Sequence, residues 1–400
     1  MSEAEGFYQE ALDWLESNCP SSQRTPARRD QLVYGGRRCK YPSEDARIWL
    51  QRMAERGWTV PTWPVEYGGA GLSPERDKLL RKAMRKLGCR TPLIGHGLWM
   101  LGPALLEYGS HEQKLQHLPR IARGEIRWCQ GYSEPGAGSD LASLRCRCED
   151  GGDHFLVSGQ KSWTTDGNHS DWIFVLVRTD FDNPVKQAGI SFLLIDLASE
   201  GVHVQPCTLL DGNEDFCDTF FDKVVVPKEN LVGEINGGWA IAKSLLVHER
   251  AMMSQIQEFI PALPHSVVEY ARNYVGLDEA GKLADSSLRD QLTNHLMNTQ
   301  AMQLAQQRAF EEGRAGVLDK RSTLYYKARA TEDDQRRDEL LLALLGGAAL
   351  GWEGEGFSDD ELQVGRQFLT NKALTIGGGT TEIQLNLIAR ALGLPGRDAH

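Results

Sequence analysis

Apolar and polar positions change their rhythm twice along the chain. In "FYQEALDWLE" (residues 7–16) and "DARIWLQRMAERGW" (45–58), apolar residues recur at three- and four-residue spacing, which predicts amphipathic helices. Prolines and glycines in "VPTWPVEYGGAGLSP" (60–74) interrupt that rhythm. It resumes in "ERDKLLRKAMRKLG" (75–88) and "HEQKLQHLPRIARGE" (111–125).

From about Arg127 to Leu231 the pattern shortens. "HFLVSGQKSWTT", "DWIFVLVRTD", "GISFLLIDL", "VHVQPCTLL" and "DTFFDKVVVP" are β-branched or aromatic runs separated by Gly, Asp, Asn and Pro, which predicts strands and turns. From about Trp239 long helical patterns return, in "GWAIAKSLLVHERAMMSQIQ", "LRDQLTNHLMNTQAMQLAQQRAFEEG", "KRSTLYYKARATEDDQRRDELLLALLGG" and "TTEIQLNLIARALGL". They are long enough for a helical bundle. The plan is an α+β chain with helices over 1–127, a strand domain over 128–232 and a helical bundle over 233–400. No repeat period or low-complexity segment disturbs it.

Composition narrows the function. The chain has 400 residues, 44 basic against 55 acidic, and a net charge of −11. With no basic block, this argues against a general nucleic-acid binder. No stretch reaches the apolar length of a membrane span, and "MSEAEGFYQEALDWLE" lacks the plan of a signal peptide. The eight cysteines are scattered, and only Cys146 and Cys148 are close. Reduced, structural thiols in a cytoplasmic compartment are the expectation.

Chemistry concentrates in a few stretches. "SEPGAGSD" (133–140) sets hydroxyls, carboxylates and a Pro-Gly turn in eight residues. Such a loop can present backbone N–H groups and the Ser133 and Ser139 hydroxyls to a flat heterocycle or a pyrophosphate, although alone it reads as a turn. In "GQKSWTTDG" (159–167), Trp163 can pack on a ring system and Thr165 can donate to it; alone, a core tryptophan is the plainer reading. "TIGGGTTEIQ" (375–384) allows close approach of a phosphate or ring but contains no acid or base at its glycines. His96, His169 and His248 lack metal-ligand spacing, so no metal is expected.

Taken together, "YSEPGAGSD", "GQKSWTTDG", "FFDKVVVPKENLVG" and "GGGTTEIQLNLIAR" resemble the acyl-CoA dehydrogenase family in order and spacing, over almost the whole chain. The resemblance implies an α-helical N-terminal domain, a β-barrel-like middle domain and a C-terminal four-helix bundle, with FAD as cofactor. It implies that Tyr132 and Ser133 lie along the flavin, Ser139 near flavin and acyl-CoA, Trp163 over the isoalloxazine and Thr165 near its N5 and O4. Thr380 matches a threonine contacting FAD, Glu382 stands where many relatives have glutamine, and Gly346 and Gly347 are weaker cofactor positions.

Many relatives carry the catalytic glutamate just before the Gly-Thr of the last loop, where this chain has Gly378. A glycine cannot take a proton. Abstraction of an acyl α-proton needs a carboxylate in a dry pocket that lifts its pKa toward neutrality. Glu249 in "KSLLVHERAMMSQ" shares a helical face with Leu245 and Met253. For an arbitrary helix a Glu beside Arg is a solvated pair. The resemblance favours Glu249 as base instead, because relatives of the isovaleryl-CoA type take it from this helix in a Glu-Arg pair. Arg250 then helps to organise the active site and the CoA region.

Two departures bear on assembly. The family's Arg-x-x-Phe-Gly run, whose arginine reaches the neighbouring subunit's FAD, is replaced by a stretch that puts Leu277 near that position, with Arg272 as a substitute. "LLGGAALGWEGEGF" (344–357) carries an insertion. The expected activity is α,β-dehydrogenation of an acyl-CoA, with electrons passed to an electron-transfer flavoprotein, by a homodimer or homotetramer. Two alternatives keep the scaffold: an oxidase or flavin monooxygenase, and a non-catalytic subunit of a heteromer. The wording of "IGGGTTEIQLNLIARALGLP" is closest to bacterial catabolic members that degrade unusual acyl chains, steroid side chains among them.

Overall fold

The computed structural model describes residues 3–253, 263 and 265–394, with the side chains at 29, 247, 249–253, 320 and 322 outside that description. The chain divides into two units: residues 1–208 with 214–261, and residues 209–213 with 262–400.

The first unit opens with five helices: α1 (Glu3–Asn18), α2 (Glu44–Glu55), α3 (Pro74–Leu87), α4 (Gly102–Tyr108) and α5 (His111–Ala122). Their starts follow local chemistry. Ser43 and Ser73 accept from the backbone N–H of Ala46 and Arg76, and Pro74 occupies the first turn of α3. Ser110 and Gln113 form a reciprocal capping box on α5. Before α4 a π-helical turn, Gly97–Leu101, interrupts the regular ladder.

The strands are β1 (Trp128–Gly131), β2 (Arg147–Asp150), β3 (His154–Thr165), β4 (Trp172–Arg178), β5 (Ile190–Asp196), β6 (Val202–Cys207), β7 (Phe216–Pro227) and β8 (Leu231–Val232). They form one sheet in the order β6-β7-β3-β2-β4-β5-β8, with β1 parallel to β4. Strand alternation sorts the side chains. Phe174, Leu176, Phe192 and Leu194 enter a core shared with Leu105 and Ile121 of the helices. Ile173, Val175, Leu193 and Ile195 enter a second core with Val157 and Val224. All seven residues of β4 are buried, which explains its almost unbroken apolar run. Each such side chain contributes about 1.5–3 kcal/mol on burial. Helix α6 (Gly238–Met253) adds Ile241, Ala242 and Leu245 to the first core.

The second unit holds α7 (Val267–Tyr274), α8 (Ser286–Arg314), α9 (Tyr326–Leu345), α10 (Asp359–Asn371) and α11 (Thr381–Ala391). Its core joins Tyr270, Leu340, Leu341, Leu344, Leu345 and Val364. Buried Asp338 of α9 accepts from Gln367 and Asn371 of α10 at 3.0 and 2.6 Å and pairs with Arg337. Helices α8 and α11 bury no residue, and Leu296, Met297, Leu304, Phe310, Leu385 and Leu387 are exposed.

Candidate active site

The sequence-predicted residues divide between the two units. Tyr132, Ser133, Ser139, Trp163, Thr165, Glu249 and Arg250 belong to the first, and Gly347, Thr380 and Glu382 to the second.

In the first unit the loop after β1 is shaped from beneath. Glu134 and Ala137 exchange backbone hydrogen bonds at 3.0 Å each, which closes a turn over Pro135 and Gly136. The Glu134 carboxylate points inward. It accepts from the backbone N–H of Arg145 and Cys146 at 2.6 and 2.8 Å, and from Lys161 Nζ at 2.8 Å. Lys161 is fully buried on β3 and also donates to the carbonyl of Tyr132 at 3.1 Å. Ser162 N–H donates to the Ser133 carbonyl at 2.9 Å. Every polar atom of the buried pair therefore has a partner, as burial of charge demands.

This scaffold leaves the upper side of the loop open. A Cβ added to Gly136 or Gly138 would meet nothing within 4 Å. Ser139 is exposed and Ser133 half-buried, whereas Tyr132 packs into the core with its ring edge-on to Phe174 at 6.2 Å. At Gly131 a Cβ would stand 2.7 Å from Ile173 Cδ1, so a side chain there would have to displace the Ile173 tip.

Beside the loop, β3 carries a bulge. Lys161 pairs with Thr219 and Thr164 with Cys217, which leaves two residues of β3 facing one of β7. Trp163 occupies that bulge with φ 61°, a conformation costly for a bulky side chain. Its ring is 64% exposed and touches Phe216 edge-on at 6.0 Å. The sequence left a core tryptophan open as a reading, and the structure excludes it. Thr164 is the inward residue and accepts from Thr219 Oγ1 at 3.2 Å, while Thr165 is half-buried. Just beyond, Asp166 (φ 57°) pairs with Arg127 at 2.8 Å. Half-buried His96 lies beside this pair; burial lowers its basicity, with Asp166 opposing and Arg127 reinforcing the effect.

Glu249 and Arg250 fall on the backbone of α6, one turn past buried Leu245, and their side chains lie outside the described residues. Helix α6 is tied to α4 by Ser244 Oγ donating to Glu107 at 2.7 Å.

In the second unit Lys327 Nζ donates to the carbonyls of Gly377, at 2.7 Å, and of Gly379. Gly378 and Gly379 have φ of 64° and 97°. Thr380 caps α11 by accepting from Ile383 N–H at 3.3 Å. Glu382 is exposed in the first turn of α11, and its own backbone N–H and the Thr380 hydroxyl hold its carboxyl below the usual range. Gly346 ends α9 at φ 57°, and Gly347 is the second residue of the 3-10 turn Gly346–Leu350. Leu277 is exposed at the start of a tight turn bridged to Leu283, and Arg272 lies in the last turn of α7.

The structure adds Glu134, Lys161, Arg127 and Asp166 to the candidate residues. Glu134 and Lys161 lie inside the two quoted motifs, but nothing in their spacing announces that they meet.

Three family descriptions match in succession: the acyl-CoA dehydrogenase N-terminal domain over 29–125, middle domain over 129–224 and C-terminal domain over 236–393. The acyl-CoA dehydrogenase IpdE1 of Mycobacterium tuberculosis is 35% identical over 354 residues, covering 88% of this chain and 89% of that protein. Two solved structures, the Tcur3481-Tcur3483 steroid ACAD and the ChsE4-ChsE5 complex from Mycobacterium tuberculosis, each align with TM-score 0.70 and 29% identity over 99% of this chain and 98% of theirs. The chain belongs to the acyl-CoA dehydrogenase family. Its activity class is that of an acyl-CoA dehydrogenase, an oxidoreductase. Among the described residues no group of His, Cys, Asp and Glu is arranged to hold a metal, and no helix is long and apolar enough to cross a membrane.

Proposed function

We propose that this chain removes the α-proton and β-hydride of an acyl-CoA thioester, with FAD as acceptor, Glu249 as base and an electron-transfer flavoprotein as oxidant. The observation that carries the reading is Trp163, an exposed indole in a left-handed bulge beside an open glycine loop. A protein keeps such strain where the side chain has a ligand to meet.

The residues present fit a flavin. The open side of Gly136 and Gly138 leaves room for a flat ring, Trp163 offers it an aromatic face, and Ser133 and Thr165 are hydrogen-bonding groups at its edge. Thr380, Glu382 and Gly347 are proposed for the rest of the cofactor. When bound, FAD supplies the acceptor for a hydride. Glu249 takes the proton, a step that asks for a carboxylate with a pKa near neutrality. Arg250 and Ser139 hold the thioester and CoA portion. Gly378, with no side chain and only Lys327 Cε within 4 Å of a Cβ, leaves room for a bulky acyl group.

A steroid-derived acyl-CoA is the proposed substrate, supported by the relative titled a steroid ACAD. The exposed leucines and Phe310 on α8 and α11 support assembly with another subunit. A homo-oligomer in the cytoplasm is the first reading. A heteromer is the second, favoured by Leu277 in place of the family's arginine and by the two-component ChsE4-ChsE5 complex.

The test is anaerobic flavin bleaching by a panel of acyl-CoA thioesters, including steroid side-chain thioesters, by the chain purified alone. Bleaching supports the homo-oligomeric enzyme. A colourless protein that gains flavin only with a second subunit supports the heteromer. Peroxide formed in air at the turnover rate would show an oxidase instead.

A further inference from the structure

Thr165 lies between two strained residues. Trp163, two positions before it, has φ 61°, and Asp166, the next residue after it, has φ 57°. Left-handed backbone is costly for any residue with a Cβ, so each needs something to hold it. The bulge against β7 holds the first. The second lies beyond the last ladder pair, Thr165 with Phe216, and depends on other partners.

Asp166 has a partner on every polar group. Its N–H donates to the Asp215 carbonyl at 2.7 Å. Its carbonyl accepts from His169 N–H at 3.0 Å and from Ser170 Oγ at 2.9 Å. Its carboxylate pairs with Arg127 Nη2 at 2.8 Å, and the Arg127 and Asp166 side chains are only 13% and 19% exposed. The turn that follows is close-packed, since a Cβ on Gly167 would stand 3.1 Å from Thr164 Cγ2 and 3.3 Å from Cys217 Cβ.

Arg127 is itself fixed from outside β3. It stands just before β1, whose far end leads into the Ser133 loop. Its N–H donates to Asp171 Oδ2 at 2.9 Å, and its carbonyl accepts from the N–H of Asp171 and Trp172 at 2.8 and 3.1 Å. Asp171 is buried and shares that carboxylate oxygen with Arg37 N–H at 2.9 Å. The Arg127 guanidinium lies 4.4 Å from the centre of the Tyr34 ring, a cation–π contact. Glycine at 166 would take the left-handed backbone without strain. The chain instead has a carboxylate there, anchored across to β1, and what that anchor fixes is the neighbouring Thr165.

We propose that Arg127 is a positioning residue for the flavin site. Through Asp166 it holds the turn that sets Thr165 at the edge of the ring, and it cancels a carboxylate charge one residue from that edge. The inference rests on the flavin reading of Trp163 and Thr165. Charge beside a flavin tunes its electronics. A bare carboxylate there opposes the negative charge that reduction adds, and a bare guanidinium favours it. Because the pair is largely out of water, removing either partner strands the other.

The test compares the full-length wild type with Arg127→Met, Asp166→Asn and the double variant, each checked for fold by circular dichroism. Flavin retained per chain after gel filtration and its midpoint potential are measured in whichever assembly of the wild type holds FAD. In Arg127→Met, retention should fall several-fold and the potential should move negative. In Asp166→Asn the potential should move positive. In the double variant no charge is stranded and asparagine still accepts the left-handed backbone, so both readings should return toward the wild type although the ion pair is gone. On the flavin-free chain, chymotrypsin should cut after the exposed Trp163 faster in Arg127→Met than in the wild type. Equal cleavage overturns the claim that Arg127 holds the turn. Folded single variants with wild-type retention and potential overturn the proposal even if their melting points drop, because the pair then serves stability alone. If Arg127→Met does not fold, the sign of the Asp166→Asn shift decides, and no shift or a negative one overturns the proposal. A wild type that takes up no FAD in any assembly refutes the flavin reading itself, and this inference with it, before any variant is compared.

Discussion

Lys161 Nζ lies 2.8 Å from Glu134 Oε1, and the lysine side chain has no exposure at all. The pair joins the glycine loop to the strand that carries Trp163, so its role is to set the loop rather than to meet a ligand. Removing one partner strands the other charge. Lys161→Met is expected to cost about 3 kcal/mol, read by denaturant unfolding. Glu134→Gln strands the fully buried Lys161 charge and turns an amide NH2 toward a backbone N–H donor, so it is expected to cost at least as much. A loss below about 1 kcal/mol in either variant would show that the charge pair does not hold the loop.

Trp163 separates ligand binding from stability. The left-handed backbone costs a bulky residue about 1 kcal/mol or more, which glycine escapes. Trp163→Gly is therefore expected to leave the unfolding midpoint unchanged or higher. Losing an aromatic face worth about 1 kcal/mol or more should loosen FAD several-fold to tenfold. Flavin retained per chain after gel filtration, beside a melting curve, checks both. A large drop in stability with flavin retention intact would refute the reading of Trp163 as a strained ligand contact.

These two positions show how far sequence patterns reach. Strand alternation in "DWIFVLVRTD" and helical spacing in "DARIWLQRMAERGW" were legible because each repeats over several residues and each buries a face. Lys161 is not, because a lysine in a strand reads as solvated until its partner, 27 residues away along the chain, is known. The helix α7 and the π-helical turn at Gly97–Leu101 were missed for a related reason, since both are too short to show a period. The candidate site was legible only as motif wording. Which of Trp163, Thr164 and Thr165 faces outward depends on the bulge, a register detail set by β7 and not by β3 itself.

His117 predicts an acid-sensitive core. It is fully buried between Trp128 and Trp172, with ring centroids 5.2 and 5.1 Å away. Burial, with a smaller push from Arg120, lowers its pKa to about 4. The unfolded chain, at about 6.5, therefore binds a proton that the folded chain refuses. Stability is complete above about pH 6.5 and falls as pH drops toward 4, by about 3 kcal/mol in all. Urea midpoints between pH 7 and 4 should show this slope. His117→Leu should flatten it by one proton while the remaining carboxylates keep theirs. An unchanged slope in His117→Leu would mean that the imidazole is already protonated in the folded core.

The vacancy at position 378 yields the sharpest test of mechanism. Glu249→Gln keeps the size of the side chain and removes its basicity. On the proposed reading it should slow bleaching of the flavin by acyl-CoA by about 10²–10⁴-fold, with the oxidised flavin spectrum and substrate-induced spectral shift retained. The loop position can then be asked whether it still serves. A Cβ at Gly378 finds nothing closer than Lys327 Cε at 3.7 Å, so space permits a side chain there. The backbone at φ 64° charges a penalty of about 1–2 kcal/mol for any residue but glycine. Gly378→Glu in the Glu249→Gln background should thus fold with slightly lower stability. Recovery of part of the lost rate in this double variant would show that a carboxylate on the loop can still serve as base, and no recovery would show that it cannot. Full-speed bleaching by Glu249→Gln alone would place the base elsewhere on the chain.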